Sequence, residues 1–113
     1  QWFNMSDFDS SMKITINIQQ NSKIFVQFSS GFTLPTASIL VKIVVDNNYN
    51  STICKVSVPA PPASGIYTIP GHVEFLTSPL SAGQHTVEVQ FMREKEVPTI
   101  LDRALTVAEI TSP

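Results

Sequence analysis

The sequence predicts an all-β protein, an antiparallel β-sandwich of seven or eight strands. Three observations carry this. Apolar and polar residues alternate over short runs, most clearly where Val87, Val89 and Phe91 interleave with Thr86, Glu88 and Gln90, which is the period of a half-buried strand. Clusters of turn formers separate the runs, Ser81-Ala82-Gly83 being one and Asp46-Asn47-Asn48-Tyr49-Asn50 another. No long window repeats at helical spacing, and β-branched residues fill the runs instead.

Trp2, Phe3, Met5 and Phe8 make an apolar opening, and residues 1–11 read as an N-terminal lead-in or a segment exchanged with a neighbour. Met12, Ile14, Ile16 and Ile18 alternate with Lys13, Thr15, Asn17 and Gln19, the cleanest strand in the chain, buried on one face. Gln20-Asn21-Ser22 turns the chain into a strand through Ile24, Val26 and Phe28, with Phe25 on the opposite face. Ser29-Ser30-Gly31 through Pro35-Thr36 reads as a loop. Ile39 to Val45 is nearly continuous apolar sequence, as expected of a strand covered on both faces, either inside the sandwich or at a subunit contact.

Asp46 to Asn50 is the next turn, because Asn and Asp tolerate left-handed backbone, and Thr52 to Val58 returns as a hairpin. Pro59 to Gly65 reads as a surface loop or a short polyproline II piece, since its three prolines remove backbone donors. Pro70-Gly71 marks a turn before a short strand through Val73, Phe75 and Thr77. The long strand ending near Met92 runs into a charged tip, Arg93 to Glu96, and Ala104 to Ile110 closes the chain. Short strands joined by turn clusters are jelly-roll-like in rhythm. A chain of 113 residues without an internal repeat is one domain, 1–113.

Charged residues make up only 14% of the chain, against roughly 25% in an average soluble domain. Ser, Thr, Asn and Gln fill the deficit. Such a surface suits extracellular life or packed assemblies, where hydroxyls and amides pair at lower desolvation cost than charges. The net charge of −2 and the scattered Lys and Arg leave no electrostatic footprint for nucleic acid. No apolar stretch approaches the roughly 20 residues of a transmembrane helix. No signal peptide is read, and Gln1 in place of a starting Met is expected to reflect processing or trimming upstream.

Cys54 is the only cysteine, and its apolar strand face predicts a small buried hydrophobe. Two sequons, at Asn4 and Asn50, are glycosylation candidates. His85 shares a face with Val87 and Val89 and is expected to be a partly buried histidine satisfied by a neighbour. His72, His85 and Cys54 do not supply a zinc set, and the carboxylates show no paired catalytic spacing, so no metal, cofactor or catalytic residue is expected. Asp46 with its asparagines reads as a plain turn rather than a calcium loop. Tyr49 and Tyr67 are ligand-loop candidates, since loop aromatics stack on sugars or anchor an interface.

The segment Leu80-Ser-Ala-Gly-Gln-His-Thr-Val-Glu-Val-Gln-Phe91, followed by Arg103-Ala-Leu-Thr-Val107, resembles the last strands of C1q/TNF-like jelly-roll head domains. The resemblance implies trimers formed through a flat apolar sheet face, with partners bound by loops or crevices. An immunoglobulin-like sandwich is the close competitor, although no Cys-Trp-Cys signature supports it.

The functional expectation is a non-catalytic structural module that associates with copies of itself, as a trimer or polymer, on a virion, cell surface or extracellular appendage. Trp2, Phe3, Phe8, Leu40 and Val44 are the interface candidates. The alternative is a recognition sandwich for a host receptor or glycan.

Overall fold

In the computed structural model, which describes residues 1–34, 38–57, 67–93 and 99–111, two antiparallel sheets pack face to face. The strands are β1 (Phe3–Asn4), β2 (Lys13–Ile18), β3 (Lys23–Leu34), β4 (Ser38–Val45), β5 (Tyr49–Asn50), β6 (Cys54–Ser57), β7 (Tyr67–Leu76), β8 (Gly83–Arg93) and β9 (Thr99–Ile110). One sheet has six strands in four lanes. β8 and β4 lie at its centre, β1 and β2 share the far edge of β8, and β5 and β6 share the far edge of β4. The other sheet has the order β7-β3-β9. The all-β antiparallel sandwich expected from the sequence is therefore what the chain forms.

Alternation places the core. Val87, Val89 and Phe91 of β8 and Ile39, Val41, Ile43 and Val45 of β4 point inward, against Ile24, Val26, Phe28 and Phe32 of β3. On the outer face of β4, Leu40 and Lys42 are half-buried and Val44 is buried, so this central strand is covered on both sides. The turn after β4 has left-handed backbone at Asp46 (φ 54°) and Asn47 (φ 58°), closed by a hydrogen bond from Asn48 N to Val45 O (3.1 Å). That is the primed turn geometry whose twist matches a hairpin.

Two segments depart from the sequence reading. Residues 29–34 are strand rather than loop: β3 runs on through Ser29-Ser30-Gly31 to Leu34, paired with β7 throughout. The small residues resemble a turn, but they continue the inward register Phe28, Ser30, Phe32, and burying Phe32 completely outweighs their turn preference. The β9 partner adjusts with a bulge, in which Leu101 and Asp102 stand opposite Gly31. Pro70-Gly71 is likewise no turn and lies inside β7. β7 is an edge strand, where a residue without an N–H is tolerated. Gly71 is needed there, since a Cβ would sit 2.7 Å from Phe32 Cε2 and 3.0 Å from Val56 Cγ2.

The N-terminal segment docks on its own sheet. Phe3 pairs with Phe91 and Asn4 with Gln90, after which 3-10 turns at Met5–Asp7 and Ser10–Met12 bury Met5 and Met12 in the core. The predicted Pro59–Gly65 loop and Glu94 to Glu96 of the charged tip lie outside the described residues.

Candidate functional site

The four sheet edges differ in what they offer. The β1/β2 edge is broken by the 3-10 turns between its halves. The β5/β6 edge is broken at residues 51–53, where Ser51 folds inward: its N–H donates to Ile43 O (2.9 Å) and its hydroxyl accepts from Ile43 N (2.8 Å). The β7 edge carries Pro70 at mid-strand. β9 is different. It has 12 residues, no proline, and among the described residues no strand partner besides β3. Natural sheets blunt such edges because exposed N–H and C=O groups template pairing with another chain.

Only the start of β9 is blunted. There the bulge is reinforced by Arg103, whose Nη1 donates to the carbonyls of Leu101 (2.8 Å) and Ile100 (3.3 Å). Its Nε donates to Asp9 Oδ2 at 2.6 Å, tying β9 to the N-terminal turns. At the other end Glu109 Oε2 accepts from Gln19 N (2.8 Å) and Ser22 Oγ (2.6 Å). These donors hold its carboxyl below the usual range, the Ser22 hydroxyl most. Asp9 is held down chiefly by Ser11, with Arg103 a smaller cause. Between these ties Leu105 and Val107 face inward and pack against the core, while Ala104, Thr106 and Ala108 face solvent.

A second cluster lies at one end of the sandwich. The buried His85 ring has Nδ1 2.5 Å from Asp46 Oδ2 and Nε2 2.7 Å from Ser81 O. Asp46 Oδ1 accepts from Thr86 N at 2.9 Å. A carboxylate and a carbonyl can only accept, so both ring nitrogens donate and the ring is an imidazolium. Asp46 above all, then the Ser81 carbonyl, raise its pKa against the opposing effect of burial. The satisfied histidine expected from the register is thus present. Nδ1 thus ties the β4–β5 turn to β8, Nε2 holds the carbonyl of Ser81 just ahead of β8, and both oxygens of Asp46 have protein donors.

The interface candidates separate. Trp2 lies on the outer face of the six-stranded sheet with Lys42 Nζ 4.3 Å from its ring centroid, and Leu40 and Val44 share that face. Val44 is only 4% exposed and has little surface left to offer. Phe3 and Phe8 sit instead against Phe91, with ring centroids 5.8 and 5.7 Å apart, and Phe8 is 71% exposed. Tyr49 is exposed on the pinned turn, whereas the side chain of Tyr67 lies outside the described residues. Of the sequon residues, Asn50 is exposed, and Asn4 is half-buried with its Oδ1 accepting from Gln90 Nε2 (2.9 Å). Cys54 is half-buried against the core.

Sequence reasoning missed Glu88. Alternation places it on the outer face of β8, between Lys13 and Val44, yet it is buried and its Oε2 has no hydrogen-bond partner among the described residues. A depression of about 440 Å³ on the outer face of the three-stranded sheet is lined mostly by small residues, Ser29, Gly31 and Ala104 among them, with His72, Asp102 and Arg103 at its wall. Among the described residues no three His, Cys, Asp or Glu side chains come together as a metal site, and no helix is long and apolar enough to cross a membrane.

No family model matches the sequence, and no curated protein or solved structure is similar enough to it to count as a match.

Proposed function

We propose that this chain is a non-catalytic structural module that associates with copies of itself on a virion, cell surface or extracellular appendage. The observation that carries the reading is the β9 edge, long and unpaired among the described residues in a molecule whose other three edges are interrupted. An edge of that length is the main-chain half of a strand-addition contact. The low charge content supports an assembly role, because few ions would need desolvation at a contact. The buried histidine and its carboxylate are engaged in bonds that hold the fold together, which supports the non-catalytic reading.

Sedimentation velocity over a wide concentration series tests the reading. Reversible growth in mean mass is expected. A single monomeric species up to millimolar chain overturns it.

A second reading rests on Tyr49, exposed on a turn that Asp46 and His85 hold rigid. Such a platform suits stacking on a sugar ring. Glycan binding lost in Tyr49→Ala, with self-association intact, would favour it.

A further inference from the structure

The sequence of the unpaired edge is complementary to itself. Residues 103–109 read Arg-Ala-Leu-Thr-Val-Ala-Glu. Read forwards and backwards about Thr106, the order of residue kinds is the same: charged, Ala, branched apolar, Thr, branched apolar, Ala, charged. The two ends carry opposite signs.

We propose that two copies pair β9 against β9, antiparallel, about a twofold axis perpendicular to the sheet that passes midway between Thr106 and its copy. The proposal rests on the self-association reading and names its contact. In this register Thr106 opposes its own copy, Leu105 opposes Val107, Ala104 opposes Ala108, and Arg103 of each chain opposes Glu109 of the other. Directly opposed residues of an antiparallel pair project from the same sheet face. Leu105 and Val107, half-buried in one chain, then meet on the inner face along the seam. The small outer residues Ala104, Thr106 and Ala108 leave no bulk to obstruct it.

Both charged residues have capacity to spare. Arg103 uses Nε and Nη1 within the chain, and Glu109 uses Oε2. Arg103 Nη2 and Glu109 Oε1 take no part in these contacts. Symmetry makes each such cross-strand ion pair occur twice. A one-residue slip in either chain would set Arg103 opposite Ala108 and turn each inner face against an outer one, so the charges and the apolar pattern select the same register. An isologous contact of this kind closes on itself, so it yields a dimer, where the sequence reading expected a trimer or polymer.

Thr106 is exposed, so Thr106→Cys in a Cys54→Ala background probes the axis without disturbing the core. Opposed positions in an antiparallel pair fall within disulfide reach. Mild oxidation is expected to give a covalent dimer from Thr106→Cys, none from Ala104→Cys or Ala108→Cys alone, and a dimer again when those two are mixed. Charge exchange is the second arm. Arg103→Glu and Glu109→Arg should each weaken association by roughly tenfold, since like charges then face one another twice. An equimolar mixture should recover it, because the introduced acid meets the introduced base. Circular dichroism establishes that each variant is folded. If the wild-type chain associates but Thr106→Cys fails to cross-link and mixing recovers nothing, the β9 pairing is wrong while self-association stands. If the wild-type chain never associates, both fall.

Discussion

The two flanks of the three-stranded sheet are closed by different chemistry. On the β7 flank the closure is packing: Gly71 brings the strand so close that Phe32 and Val56 fill the space a Cβ would need. On the β9 flank it is a set of polar stitches, with Arg103 reaching Asp9 and Glu109 reaching Gln19 and Ser22. Packing this close leaves no room for an added Cβ, and the β7 edge is separately interrupted by Pro70. Stitches fasten two ends and leave the main chain between them uncovered. A strand held that way is fixed in position while its edge stays available to pair.

The contrast makes packing changes costly and stitch changes mild. Phe32→Ala removes a side chain with no solvent exposure and should cost about 3–5 kcal/mol, read as a lower denaturant midpoint. A loss within the range of a surface change would mean that β3 ends near Ser29 and that the packed flank does not exist. Gly71→Ala comes next. The added methyl meets the Phe32 ring at 2.7 Å, and overpacking of that kind costs about 1–3 kcal/mol. Gly31→Ala sharpens the comparison, since the nearest atoms its Cβ would meet belong to the Leu101 side chain, at an ordinary 3.4 Å, and the variant should be much milder.

How far these features were legible in the sequence follows from what each depends on. Met12 to Ile18, Ile39 to Val45 and Thr86 to Phe91 declare themselves through spacing, a property of the local chain. Ser29 to Leu34 does not. Two serines and a glycine look like a turn until both neighbouring strands are in place to pair with them. Pro70 breaks a strand only if its nitrogen faces a partner, and nothing local says that β7 lies at an edge. For His85 the register predicted a partner but could not name Asp46, which lies 39 positions away and is brought near by the β4–β8 pairing. The self-complementary segment 103–109 is plain in the letters, yet it acquires meaning only once the topology leaves β9 at an edge. Burial of Glu88 had no signal at all, since the period places it outside.

The Asp46–His85 pair offers an intermediate case, a polar tie that is buried. The folded chain holds the imidazolium proton more tightly than the unfolded chain, where His has its ordinary value of 6.5. The stability it confers is complete below that value and is lost as pH rises through the higher folded value. Thermal melts taken from pH 6 upward should therefore show a fall in Tm for the wild type, and a flatter profile in His85→Gln together with a lower Tm at pH 6. A wild-type Tm that rises over this interval would show that the ring is neutral in the fold.

The stitches on the β9 flank carry the smallest expected effect, with the opposite pH sign. Asp9 and Glu109 both have lowered pKa values, so the stability they confer is present above their unfolded values and is lost as pH falls through the folded ones. Both are part of a solvent-facing seam, where water and salt weaken each contact. Asp9→Asn and Glu109→Gln should each lower Tm at pH 7 by less than Gly71→Ala does. Combined, they should reduce the acid limb of the stability profile without abolishing it, because Glu74 is also held below its ordinary range, by Gln27 first and then His72. A double variant as damaging as Phe32→Ala would mean that the stitches carry the flank as packing does, and the distinction between the two sides of the sheet would be lost.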